Sequence, residues 1–383
     1  MGRKKMKYEN VLAILSEVST PISLYLMPIN YEKEREKFFD SPIYNPQFRY
    51  RKSNKNRGVF ERLHKLEEVL DVDPEISSYI IKVIEDKKLT SRLLSSIGDD
   101  DRFLKNSEER YGRPSRKLFL RACTLMRSSY GDISIAKRNE KLMARHLEYK
   151  DLELMFAKVF EILGLDGWML DKSKAIVANG FRTAVKSKRI MVDPHISITA
   201  EKLRKTIVHE VVTHALRAKN GFESGCEIFG RPNLKEYLDD EEGLAMYNEE
   251  LYGVLRDIDV RRRAALVYAV YLGQTMSFRQ VFDALSSMYM KKNAFDITFR
   301  AKRGLSDTSQ PGCYYRDTTY LRGFLKIRRK LDKDTTSYRN MYAGKIPLKY
   351  LYLVEEGILC KPAMVPSTEL IEKLFKETKL TDR

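Results

Sequence analysis

His209, Glu210 and His214 sit inside an apolar run, and burying three ionisable groups is costly unless something pairs with them. Leu203, Ile207, Val208, Val211, Val212, Ala215 and Leu216 recur around them at helical spacing, so the stretch reads as a buried helix. A metal ion is a common partner for such a set. The familiar zinc-peptidase helix carries His-Glu-x-x-His, with two imidazoles four residues apart on one face. Here three residues separate Glu210 from His214. At about 100° per residue, rings five positions apart on a regular helix diverge by about 140°. They could not share an ion lying about 2 Å from each. A π-turn removes the conflict, because its i→i+5 pattern returns positions five apart to one side. The spacing therefore makes a demand. Either the helix is locally overwound near Val211 to Thr213, or these are ordinary hydrogen-bonded or surface histidines.

A third ligand is sought downstream, because one class of zinc peptidases takes a Glu from a separate helix. The run Asp239-Asp240-Glu241-Glu242-Gly243-Leu244-Ala245 reads as a helix N-terminus, where carboxylates are favoured. Glu242, 28 residues beyond His214, is the candidate; Glu241, Glu223 and Glu227 compete with it.

Taken together, His209-Glu210-x-x-x-His214 and Glu241-Glu242-Gly243-Leu244-Ala245 resemble the QEGLA-motif metallopeptidase family, which includes the microtubule-associated tyrosine carboxypeptidases. Further matches are Tyr44-Asn45-Pro46 with Tyr50, Asn220-Gly221, Lys302-Arg303-Gly304-Leu305 and Asp307-Thr308-Ser309. Asp317 with Tyr320-Leu321-x-Gly323, and Tyr342-x-Gly344-Lys345, extend the likeness over roughly residues 10–365. Glu241 departs from the family's usual Gln. The resemblance implies Zn2+ held by His209, His214 and Glu242, with Glu210 as general base towards a water molecule. It implies release of a C-terminal residue from a protein or peptide. Tubulin as substrate belongs to one branch of the family and does not carry over. A carboxypeptidase also needs a cation for the terminal carboxylate: Arg303 comes first, with Arg316 and Lys302 behind it. Donors for the developing oxyanion are sought among Tyr247, Tyr314, Tyr315 and Arg303.

The elements that must position these residues form a chain of 383 residues, 43% hydrophobic and carrying a formal net charge of +17. Residues 286–349 hold 15 Lys and Arg against 5 Asp and Glu, and residues 1–58 hold 12 against 6, so the surplus is clustered. Clustered cations favour polyanionic partners, among them an acidic protein tail. Nucleic acid is not favoured, since no helix-turn-helix, zinc-finger or RNA-recognition motif is visible. Cys123, Cys226, Cys313 and Cys360 lack paired spacing, and no apolar run reaches membrane-spanning length. A cytoplasmic protein is expected.

Helices are expected at 8–16, through Phe60 to Leu70, and almost continuously to about Leu163, with His64 and His146 on their surfaces. After Gly164, Trp168–Leu170, Ala175–Val177, Thr183–Val185 and Arg189–Val192 read as short strands, one edge of which could pair with a peptide. His195 falls in a turn, and the two-histidine helix starts near Ala200 with Ser197 or Thr199 as cap. The expected fold is α+β: a predominantly helical, zincin-like metallopeptidase with a small sheet beside the active-site helix. Its parts are an irregular basic segment packed on the core (1–58), a helical region (59–164), the catalytic core (165–290) and a basic region completing the site (291–383). Two alternatives stand beside the carboxypeptidase: a peptidase of endopeptidase type or other amide hydrolase, and a basic nucleic-acid-binding or regulatory protein with a non-catalytic metal site.

Overall fold

Thr199 ends a short strand and opens the central helix: its hydroxyl accepts from the Lys202 amide at 3.2 Å, satisfying an N–H that has no intrahelical partner. Of the two caps expected from the sequence, Ser197 and Thr199, the structure uses Thr199. The computed structural model describes residues 13, 15, 22–52, 73–174, 176, 180–231 and 234–381. Most of the helices expected at 8–16 and 60–70, His64, and two residues of the expected strand Ala175–Val177 lie outside them. The protein is 61% helical with a few small sheets, the α+β class expected.

The chain forms two compact units, each drawn from two separate stretches. The first comprises Met1–Ser129 and Val260–Leu321, and the second Tyr130–Asp259 and Arg322–Arg383. In the first, the helices Tyr31–Asp40, Phe278–Ser286 and Lys291–Lys302 meet through the rings of Phe38, Phe278, Phe282 and Phe295, in edge-on and tilted contacts of about 5 Å. The aromatic segment after Tyr44 packs here as a strap. Arg279 N donates to Asn45 Oδ1, Thr308 Oγ1 donates to the Pro46 carbonyl, and Phe48 is buried. Helices Pro74–Ser95, Asp100–Tyr111 and Arg116–Met126 complete the unit.

In the second unit, β1 (His146–Glu148) pairs antiparallel with β5 (Ser197–Thr199), placing His146 opposite Thr199. His146 is exposed as expected, but on a strand, because Leu147 between two exposed neighbours follows the two-residue period of a sheet edge. A second sheet orders β2 (Met169–Lys172), β4 (Arg189–Val192) and β3 (Phe181–Ala184), with β2 parallel and β3 antiparallel to the central β4. Against these lie Tyr149–Ile162 and the central helix, whose Leu203, Ile207, Val208, Val211, Val212 and Ala215 join Leu152, Phe156, Ile190 and Val192 in one buried core. Burying each such aliphatic side chain is worth about 1.5–3 kcal/mol, enough to fix which face of the helix points inward. No helix among the described residues is long and apolar enough to cross a membrane.

Candidate metal centre

The central helix is α-helical over Ala200–Thr206, π-helical over Ile207–Ala215, and α-helical again over Leu216–Glu223. The π-turn demanded by the histidine spacing is present. It spans nine residues instead of one turn near Val211 to Thr213, and it widens the helix where overwinding was expected. Side chains that replace lost ladder bonds hold this less favourable geometry. Thr213 Oγ1 donates to the carbonyl of Val208, five residues back, at 2.9 Å, and Tyr342 Oη donates to the Val212 carbonyl at 3.2 Å. Asn248 Nδ2 donates to both hydroxyl oxygens at 2.8 Å, locking the three side chains together.

The widened turn brings the two imidazoles together, with ring centroids 4.8 Å apart and planes at 90°. Ligand atoms of His209, His214 and Glu242 all lie within 4.8 Å of one another, so the three could hold one cation. Both rings are aimed by carboxylates. Glu249 Oε1 lies 2.6 Å from His209 Nδ1, and Glu241 Oε1 lies 2.7 Å from His214 Nδ1. An ionised carboxylate only accepts, so each Nδ1 carries the proton and each Nε2 presents its lone pair. Burial disfavours charge on His209, yet without an ion the facing Glu242 and Glu249 push its pKa up to about 10, so a bound cation would replace the proton that Nε2 otherwise shares with Glu242.

Glu241, Glu242 and Glu249 all come from the helix Lys235–Leu251, whose seven-residue interval between 242 and 249 returns nearly to the same face. The acidic run is not a helix N-terminus. The helix begins earlier, at Lys235, and Asp239 and Asp240 are instead held by Arg322 at 2.6–2.8 Å and Lys326 at 2.6 Å. Gly243 is required by close approach, since a Cβ there would stand 2.3 Å from the Gly323 carbonyl carbon.

Glu241 is almost fully buried among cations. His214 Nδ1 and Lys345 Nζ meet its Oε1, while Arg217 Nη1 donates to its Oε2. Burial would favour the neutral acid, but Arg217, Lys345 and His214 hold its pKa well below the usual carboxylate range. Arg217, fully buried, spends its other donors on the carbonyls of Met341 at 2.7 Å and Ile346 at 2.9 Å. Glu210 leans towards the sheet, where its Oε2 accepts from the Thr183 amide at 3.0 Å and hydroxyl at 2.6 Å. The β3 edge is thus already engaged at Thr183 by Glu210.

The competing carboxylates are occupied elsewhere, Glu223 by Lys219 at 2.6 Å and Glu227 by Arg231 at 2.9 Å. Tyr247 is half-buried with its ring 6.2 Å from that of Tyr338, and helical geometry turns it about 140° from Glu242. Arg303, Lys302, Arg316, Tyr314 and Tyr315 belong to the first unit. There Arg303 Nη2 donates to both oxygens of Asp317, Lys302 Nζ donates to three backbone carbonyls, and the Tyr314 hydroxyl lies 3.3 Å from that of Tyr111. Sequence reasoning missed Glu249, Thr183, Arg217 and Asn248. Only Glu249 left a trace, one heptad after Glu242 on an otherwise apolar face.

The family described as "Microtubule-associated tyrosine carboxypeptidase" matches the chain over residues 36–379. The chain is 33% identical to human MATCAP2 over 188 residues, covering 46% of this chain and 35% of that protein. It is 26% identical to mouse MATCAP2 over 378 residues, covering 93% and 62%. Mouse microtubule-associated tyrosine carboxypeptidase 1 is 26% identical over 312 residues, covering 79% of this chain and 56% of that protein. The chain thus spans less than two thirds of the length of each of these relatives.

Proposed function

Since the chain belongs to the microtubule-associated tyrosine carboxypeptidase family, we propose that it is a zinc-dependent carboxypeptidase releasing a C-terminal residue from a protein or peptide. The observation that carries this reading is the convergence of His209, His214 and Glu242 on a π-helical turn, with Glu210 beside them. Two imidazole nitrogens and one carboxylate oxygen suit zinc, whereas calcium and magnesium take oxygen shells. Zinc held there would supply Lewis acidity towards the scissile carbonyl and the attacking water. Glu210 takes the proton from that water and passes it to the leaving amine. Thr183, donating twice to Glu210 Oε2, fixes which way that carboxylate faces. Glu241 and Glu249 keep the Nε2 atoms of His214 and His209 as the ligand atoms. No step is assigned to Arg303 or Tyr247.

The test uses peptides ending in tyrosine or in other residues, read by mass spectrometry. Stepwise loss of a C-terminal residue, abolished by a chelator and restored by Zn2+, is expected. Glu210→Gln should lower turnover at least about a hundredfold while retaining the metal. Trimming that persists under chelation overturns the proposal, and internal fragments would make the enzyme an endopeptidase.

A further inference from the structure

The clamp on the π-turn has a direction, because each hydroxyl has one proton to give and carbonyls only accept. Thr213 spends its proton on the Val208 carbonyl, and Tyr342 spends its own on the Val212 carbonyl. Both hydroxyl oxygens can then only accept from Asn248, so the amide nitrogen of Asn248 must be the side that faces them. That turns Asn248 Oδ1 the other way, to the Tyr338 hydroxyl at 3.0 Å. Asn248 is fully buried, and an acceptor left there without a donor costs about 1–3 kcal/mol. The donor is Tyr338. It belongs to the short helix Thr336–Met341, four residues before Tyr342, and the two rings lie 5.5 Å apart.

A second tyrosine bears on that proton. Tyr252 Oη lies 2.8 Å from Tyr338 Oη and 3.1 Å from the Pro366 carbonyl. The two hydroxyl protons cannot serve Pro366–Tyr252, Tyr252–Tyr338 and Tyr338–Asn248 at once. Either Tyr252 donates to Tyr338 and Tyr338 to Asn248, or both protons point towards Pro366. Only the first arrangement satisfies the buried amide of Asn248. Burial pushes the pKa of Tyr252 up to about 12 and that of Tyr338 well above the ordinary tyrosine range, so both hydroxyls keep their protons at neutral pH.

We propose that Tyr338 is a positioning residue, whose proton fixes Asn248 and through it the π-turn that brings His209 and His214 together. Tyr252, one step further out in the same chain of hydroxyls, is dispensable for this. Without it, Asn248 is the remaining acceptor of the Tyr338 proton among the described residues. The consequence for zinc rests on the function proposed above; the hold on the turn does not.

The test sets Tyr338→Phe against Tyr252→Phe in the full chain. Each deletes one half-buried hydroxyl and strands no charge, so chemical denaturation should give closely similar midpoints. Hydrogen exchange over Ile207–Ala215, read by mass spectrometry before and after chelation, separates the two. Tyr338→Phe should exchange at least about tenfold faster there, and Tyr252→Phe should stay within about twofold of the natural chain. Release of zinc to a chromogenic chelator should quicken roughly tenfold in Tyr338→Phe alone. With Co2+ in place of zinc, visible bands should shift in that variant alone, a change that lost stability by itself would not produce. Equal exchange in the two variants overturns the proposal, and so does faster exchange that merely follows lowered midpoints. Unchanged zinc release and cobalt bands in Tyr338→Phe would overturn its role at the metal centre. A chain that takes up neither ion sinks the function proposed above, while the exchange comparison still decides what Tyr338 does.

Discussion

Two buried carboxylates, Glu241 in the second unit and Asp317 in the first, are each ringed by cations, and they end differently. Around Glu241 every charge is closed. Arg217 turns its remaining donors to the carbonyls of Met341 and Ile346, Lys345 reaches the Tyr237 hydroxyl at 2.9 Å, and His214 is left with one outward lone pair. Around Asp317 the cations Arg300, Arg303 and Arg316 are open, with donors to spare and side chains reaching solvent. A closed cluster fixes geometry, because each bond leaves the next group one orientation. An open cluster leaves donors that solvent can still reach. Like residue types thus lock a geometry in one place and stay within reach of solvent in the other, and what decides is where the spare donors go.

The comparison breaks most visibly at Glu241. Glu241→Ala would strand Arg217 and Lys345 in the interior, and uncompensated buried charge of this kind costs about 3–5 kcal/mol. Chemical denaturation should show that loss, along with weaker metal retention as His214 loses its hydrogen-bond partner. Arg316→Gln in the open cluster should cost under about 1 kcal/mol, near the value of a partly exposed pair. Equal costs would erase the distinction between closed and open.

Lys302 sharpens it from another side, as a closed cation with no carboxylate at all. Fully buried, its Nζ donates to the carbonyls of Gly273, Met276 and Gln310 at 2.5–3.3 Å, and burial pulls its pKa down to about 8. The unfolded chain, with an ordinary lysine, binds more protons than the native state between about pH 8 and pH 10.5. Stability therefore rises with pH across that window, and the full cost of the buried charge is felt below it. The rise attributable to this one group is on the order of 3 kcal/mol. Denaturation midpoints at pH 7.5 and 10, compared between the natural chain and Lys302→Met, should show the rise in the first and its loss in the second. Parallel pH dependences would show that Lys302 is not held at a lowered pKa.

Much of this is legible in the amino-acid sequence. Two histidines five apart in an apolar helix leave a π-turn as the way to a shared ion, and the helix is π-helical there. Thr199 announces its own cap, and the residues around Arg189–Val192 announce a strand. The partners of the motif are not legible. Asp239 and Asp240 read as a helix start because their neutralising cations, Arg322 and Lys326, lie more than eighty residues away. The widening spans nine residues because it is tied down by Tyr342 and Asn248, and no local signal links those positions to Val212. Two units each drawn from two distant stretches likewise leave no mark on composition or periodicity.

That clamp gives the smallest test. Tyr342→Phe keeps the ring and its packing but deletes the hydroxyl that donates to the Val212 carbonyl and accepts from Asn248. No charge is stranded, so the cost is that of neutral buried hydrogen bonds, about 1–2 kcal/mol. Its effect on function should exceed its effect on stability. With the Val212 carbonyl released, the turn can relax towards the α-helical ladder, which swings His209 and His214 apart. Metal dissociation, followed with a chromogenic chelator, should therefore quicken at least tenfold in a protein still folded at room temperature. Faster unfolding with unchanged metal release would place the origin of the π-turn in its own branched residues, and the closed cluster would be scaffolding alone.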